Sequence, residues 1–139
     1  MMVQAKSLVA LAVLLAVTGL AVAATPASIK VSGQKMTDDE VTIAEVNLPR
    51  DGILVIYPSD SNGELVERVI GYVALSGGDH KAIKVHLNEK PKAGDKLWAT
   101  LHKDTRVRGH YGFGMPGQTN IGMPMKVYGR IVARSFKIE

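Results

Sequence analysis

The chain has 139 residues, a formal net charge of +4 and no cysteine. The missing thiols exclude disulfides, a thiolate nucleophile, an iron–sulfur cluster and a blue-copper centre. Residues 1–23 read as a signal peptide. Lys6 gives a small positive start, 7–23 is apolar throughout, and Ala21-Val22-Ala23 is an A-x-A cleavage pattern. The apolar run falls short of the roughly 20 residues of a spanning helix. Cleavage before Ala24 is therefore expected, with no transmembrane segment afterwards. Only two Phe and one Trp in an exported chain also argue against nucleic acid as a partner. Residues 24–139 form one domain, long enough to bury a core without staples.

Along this domain hydrophobic residues recur with period two between turn signals. Ile29 and Val31 mark a short first strand. Val41 and Ile43 have one parity and Val46 and Leu48 the other, which predicts a β-bulge near Ala44-Glu45. Asp38, Asp39 and Glu40 read as the turn that leads into this strand. After the Pro49-Arg50-Asp51-Gly52 turn, Ile53 to Tyr57 is a continuous apolar run, so a strand buried on both faces. Asn62-Gly63 is a hairpin signal. Residues 65–75 read as a strand interrupted by Gly71, closed by Ser76-Gly77-Gly78-Asp79. Ile83, Val85 and Leu87 alternate with Lys84 and His86. Leu97, Ala99 and Leu101 alternate with Trp98, Thr100 and His102. Residues 127–138 carry a last strand, with Ile131, Val132, Phe136 and Ile138 as its apolar content. About seven short strands without helical periodicity predict an all-β fold: a single antiparallel β-sandwich of the immunoglobulin or cupredoxin kind.

GILVIY (52–57), VIGYVALSGGDHKAIKVHL (69–87), LWATLHKD (97–104) and VYGRIVARSFKI (127–138) form a recognisable series. It resembles a β-sandwich domain family of unknown function found in secreted and surface proteins of archaea and some bacteria. Leu97, Ala99, His102, Asp104, Gly129, Val132, Ser135 and Phe136 sit at that family's motif positions. The family often has an acidic loop after the His-x-Asp strand, whereas this chain has Arg106, Arg108 and a Gly/Met stretch. The resemblance implies a fold and an extracellular setting, and no activity.

Candidate sites converge on that stretch, HYGFGMPGQTNIGMPM, from His110 to Met125. Thioether sulfur and imidazole suit copper, so His110, Met115, Met123 and Met125, with His102, are candidate ligands of a copper site. A glycine-rich loop whose methionines cap one end of the core explains the same residues. If the strands around residue 91 pair as a hairpin, His80 comes opposite His102. Asp104, two residues on from His102, either orients that ring or anchors the strand end. Lys103, Arg106, Arg108, Lys126, Arg130, Arg134 and Lys137 make the late chain basic. Together with Tyr111 and Phe113, Arg106 and Arg108 are candidate partner-binding residues, for an envelope protein or an anionic surface polymer.

Catalysis has little basis. No G-x-S-x-G, H-E-x-x-H or P-loop occurs, and the glycines of 110–114 lack the strand–turn–helix setting of a nucleotide site. The reading is an exported, non-enzymatic β-sandwich module at the cell envelope with a binding or structural role and no cofactor. A periplasmic or extracellular copper-binding protein is the alternative.

Overall fold

A computed structural model describes residues 25–104 and 122–139. The expected signal peptide therefore lies outside the described residues, as do Arg106, Arg108, His110, Tyr111, Phe113 and Met115. The described residues hold no helix. They form β1 (Ser28–Lys30), β2 (Glu40–Leu48), β3 (Gly52–Pro58), β4 (Gly71–Leu75), β5 (Gly78–His86), β6 (Lys96–Lys103), β7 (Lys126–Val127), β8 (Arg130–Ile131) and β9 (Ala133–Lys137). One sheet has the order β1-β2-β5 and the other β4-β3-β6-β9, with β7-β8 as a separate hairpin. All strand pairs are antiparallel. The all-β sandwich-like architecture is as expected.

The two sheets face each other through one apolar cluster. Ile29, Val41, Ile43, Val46, Ile83 and Val85 come from the first sheet, and Leu54, Ile56, Leu97, Ala99, Leu101 and Phe136 from the second. The first core residue is Ala27 and the last Ile138, so the unit from residue 24 onward carries every described strand and its whole described core. Burying each large aliphatic side chain contributes roughly 1.5–3 kcal/mol. The continuous run of β3 is central in its sheet and buried on both faces. Leu54 and Ile56 face the core, while Ile53, Val55 and Tyr57 form a second cluster with Leu65, Val69 and Trp98.

Four local expectations are corrected. No extra residue enters the β2–β5 ladder: the pairing breaks at Ala44 opposite Ala82 and resumes in the same register, Ile43↔Ile83 before and Glu45↔Lys81 after. One unpaired residue on each strand lets the apolar parity switch, and Ala82 takes a left-handed φ of 50° to do so. The stretch 65–75 becomes a strand only from Gly71 onward. A Cβ at Gly71 would meet the His86 carbonyl oxygen at 2.6 Å, so glycine permits the sheets to approach there. β5 pairs with β2 and not β6, which removes the His80–His102 pair; His80 instead lies opposite Val46, and its Nε2–H donates to the Ser76 carbonyl at 2.7 Å. The single strand expected over 127–138 is split by a turn at Tyr128-Gly129 into the β7–β8 hairpin and β9.

Candidate functional site

At one end of the sandwich, where β3 begins and β6 ends, the chain returns from outside the described residues at Gly122. Residues 122–125 extend the edge of β6. Lys103 N–H donates to the Met123 carbonyl at 2.9 Å, and Met125 N–H to the Leu101 carbonyl at 2.8 Å. Val132 N–H then donates to the Met125 carbonyl at 3.0 Å, so the hairpin between them is tied at its base to β6.

His102 holds this return in place. It is 7% exposed, on the outer face of its sheet. Its Nδ1 lies 2.9 Å from the Gly122 carbonyl oxygen and its Nε2 3.2 Å from the Tyr57 hydroxyl. A carbonyl only accepts, so Nδ1 carries the proton and Nε2 accepts from Tyr57. Burial lowers the His102 pKa against the smaller raising effects of the Gly122 carbonyl and Glu67, which favours this neutral form. Burial, then Glu67, raises the Tyr57 pKa, so its hydroxyl stays a donor. Both ring nitrogens are thus engaged, and neither partner is Asp104.

Met125 is 4% exposed and packed in the core; its Cε would be 2.7 Å from a Cβ placed at Gly52. Met123 is 67% exposed. Of the proposed copper ligands that are described, His102 and Met125 therefore lie on opposite faces of one sheet, and Met123 faces solvent. His110 and Met115 lie outside the described residues. Met125 fills the core end as the capping reading expects.

Beside Met125 is a cleft of about 430 Å³ with an apolar floor of Pro26, Ala27, Pro49, Met125 and Val127. Arg50, Lys103, Lys126 and Tyr128 complete its described lining, which contains no carboxylate among the described residues. Asp51 and Asp104 border Arg50 and Lys103 on the adjoining surface. The Asp51 carboxylate accepts from Gly77 N–H at 2.9 Å. Among the described residues no ion pair engages Arg50, Lys103, Lys126 or Arg130.

The same end carries most of the exposed large apolar surface. Met123 (67%), Tyr128 (98%) and Ile131 (52%) are there; Tyr72, at 42%, is the remaining one described. Tyr128 and Gly129 are the central residues of the β7–β8 turn, both at positive φ (51° and 78°). That is the backbone of a type I′ turn, which matches strand twist and usually takes Asn-Gly. Sequence reasoning missed Arg50, Tyr128 and Ile131. The signal was present in Tyr-Gly between Val127 and Arg130, but a tyrosine is an unusual occupant of that turn.

The opposite end also has a cleft, lined by Asp60, Arg68, Glu89, Asp95 and Lys96 among others. Its polar groups serve each other. Asp60 accepts from Asn62 N–H and Glu64 N–H, Asp95 from Lys92 N–H, Arg68 forks onto Glu89, and Lys96 sits 4.8 Å over the Trp98 ring.

A family model described as "Domain of unknown function (DUF7282)" matches residues 27–139. No curated protein and no solved structure matches the chain.

Proposed function

We propose that this chain, which belongs to the DUF7282 family, is an exported, non-enzymatic binding module of the cell envelope that holds an anionic partner at its cationic cleft. The observation that carries the reading is the lining of that cleft: Arg50, Lys103 and Lys126 around an apolar floor, with no carboxylate among the described lining residues. Cations beside low-dielectric surface attract an anion more strongly than cations dispersed in water, and Asp51 and Asp104 border only the Arg50–Lys103 side of the cleft. The apolar floor adds contact area for a partner that is not purely ionic. Arg106, Arg108, Tyr111 and Phe113 fall in the sequence between Asp104 and Gly122, which both lie at this end, so they are candidates for the same surface. His102 and Tyr57 act as positioning residues, since they fasten Gly122 to the sheet.

The test is retention on an immobilised polyanion, heparin, at low ionic strength. Retention should fall steeply with salt and disappear when Arg50, Lys103 and Lys126 are changed together to Gln. Changing Lys84 and Lys90, on other surfaces, should leave it intact. Loss of retention only with the second set would move the surface elsewhere, and no retention by the parent chain would overturn the anionic partner.

A further inference from the structure

We infer that the β7–β8 hairpin seats the domain on an anionic lipid surface, with Tyr128 and Ile131 at the headgroup boundary and Lys103 and Lys126 facing the lipid phosphates; this deepens, and rests on, the reading of this end as an anion-binding surface. Cations alone would suit any polyanion. The apolar residues at the same end distinguish among them. Tyr128 is 98% exposed at the tip of its turn, Ile131 is 52% exposed beside it, and Met123 is 67% exposed. A soluble anionic polymer leaves this apolar group in water, whereas a bilayer interface covers it.

The residue types fit that interface. A tyrosine ring has an apolar body and a polar tip and prefers the headgroup level of a membrane. Each Lys or Arg near an anionic leaflet strengthens attachment. Ile131 pairs with Lys126 across the hairpin, so an apolar and a cationic side chain share one face. Tyr128 holds a left-handed φ of 51° where Asn or Gly would sit without strain. Strain kept at an exposed tip points to a use for that side chain.

The chain path adds an independent argument. Pro26 and Ala27 line the cleft, and the apolar run 7–23 joins the domain just before them. Cleavage after Ala23 would set a new α-ammonium two residues from Pro26, adding a cation to the same end.

The absence of cysteine permits a clean test. Ile131→Cys, and Asn62→Cys in the exposed turn at the opposite end, are each labelled with an environment-sensitive fluorophore on the 24–139 chain. That unit keeps the whole described core and leaves out the leader's own lipid affinity. Phosphatidylcholine vesicles, the same vesicles containing phosphatidylglycerol, and soluble heparin are added in turn. The expected result is a blue shift of the label at 131 with phosphatidylglycerol vesicles only, reversed by salt, and no shift of the label at 62. Lys103→Glu with Lys126→Glu should weaken vesicle binding by roughly tenfold or more. Met123→Ser with Ile131→Ser, both exposed and outside the cleft lining, should weaken vesicle binding while heparin retention stays unchanged. Heparin retention without any vesicle-induced shift would overturn the lipid assignment and leave the anionic partner standing; failure with both probes would remove both.

Discussion

The Tyr57 hydroxyl donates to His102 Nε2 across 3.2 Å, although the two residues are 45 apart in the chain and on different strands. Their rings are tilted at 59° with centroids 6.1 Å apart. With Nδ1–H on the Gly122 carbonyl, this bond makes His102 a buried joint between β3, β6 and the segment that leads to the cleft. Among the described residues no buried side-chain nitrogen or oxygen lacks a partner, so breaking the joint exposes a real cost. Tyr57→Phe leaves Nε2 unpaired and should cost about 1–3 kcal/mol of unfolding free energy. His102→Ala leaves both the Tyr57 hydroxyl and the Gly122 carbonyl unpaired and should cost more. Urea denaturation of the two variants checks the order.

The same histidine predicts a pH dependence. Its folded pKa lies below the ordinary value near 6.5 because burial disfavours the charged ring. Between those two pKa values the unfolded chain binds the proton and the folded chain does not. The contribution is therefore complete above about pH 6.5 and is lost as the pH falls through the folded pKa. Unfolding free energy measured from about pH 7.5 down to about pH 5, on either side of the free histidine value, should fall more steeply for the parent than for His102→Gln. Parallel curves would refute this account of the ring.

Two turn and strand positions carry left-handed strain that a smaller or better suited residue relieves. Ala82 has φ 50° within β5. Ala82→Gly should be stabilising by a few tenths to ~1 kcal/mol, the relief of a left-handed alanine being partly offset by the added freedom of the unfolded chain. Tyr128→Asn restores the residue that a type I′ turn favours and should raise the melting temperature as well. If the hairpin is a membrane contact, the same substitution lowers vesicle binding, so stability and attachment move in opposite directions.

Glycine at 71 is set by packing and not by φ. An alanine Cβ would meet a backbone oxygen, His86 O at 2.6 Å, as well as Leu87 Cδ2 at 2.7 Å. Backbone cannot yield as a side-chain end can, so Gly71→Ala should cost about 2–3 kcal/mol, read by thermal unfolding.

The two described methionines of the 110–125 stretch should separate cleanly. Met125→Ala removes a packed core side chain and should cost about 2–4 kcal/mol, whereas Met123→Ala, at a solvent-facing position, should stay within about 0.5 kcal/mol. Cu(I) competition against a chelator gives a second readout. Because Met125 is packed in the core, Met125→Leu should leave any Cu(I) uptake by the chain unchanged.

Much of the frame was legible in the sequence because strand alternation is a local property. Ile83, Val85 and Leu87 point inward as their spacing says, and the unbroken run from Ile53 to Tyr57 marks a strand covered on both faces. Which strands become neighbours is a long-range matter that spacing does not encode. The polar connection around Pro91 looks like a hairpin, yet β5 and β6 belong to different sheets, and His80 and His102 never meet. The last segment misled for another reason. Alternation from Val127 to Ile138 reads as one strand, and only the left-handed pair Tyr128-Gly129 folds it into a hairpin with Ile131 turned to solvent.

By itself, then, the sequence determined that the chain is all-β, rich in short alternating strands, free of thiol chemistry and basic toward its end, because composition and period two need no partner to be read. The tertiary structure alone decided that His102 is a buried joint, that Met125 is core, and that Arg50 from one turn stands with Lys103, Lys126 and Tyr128 around an apolar cleft. Those assignments depend on which backbones lie side by side, and burial and hydrogen bonding choose that arrangement over the whole fold at once.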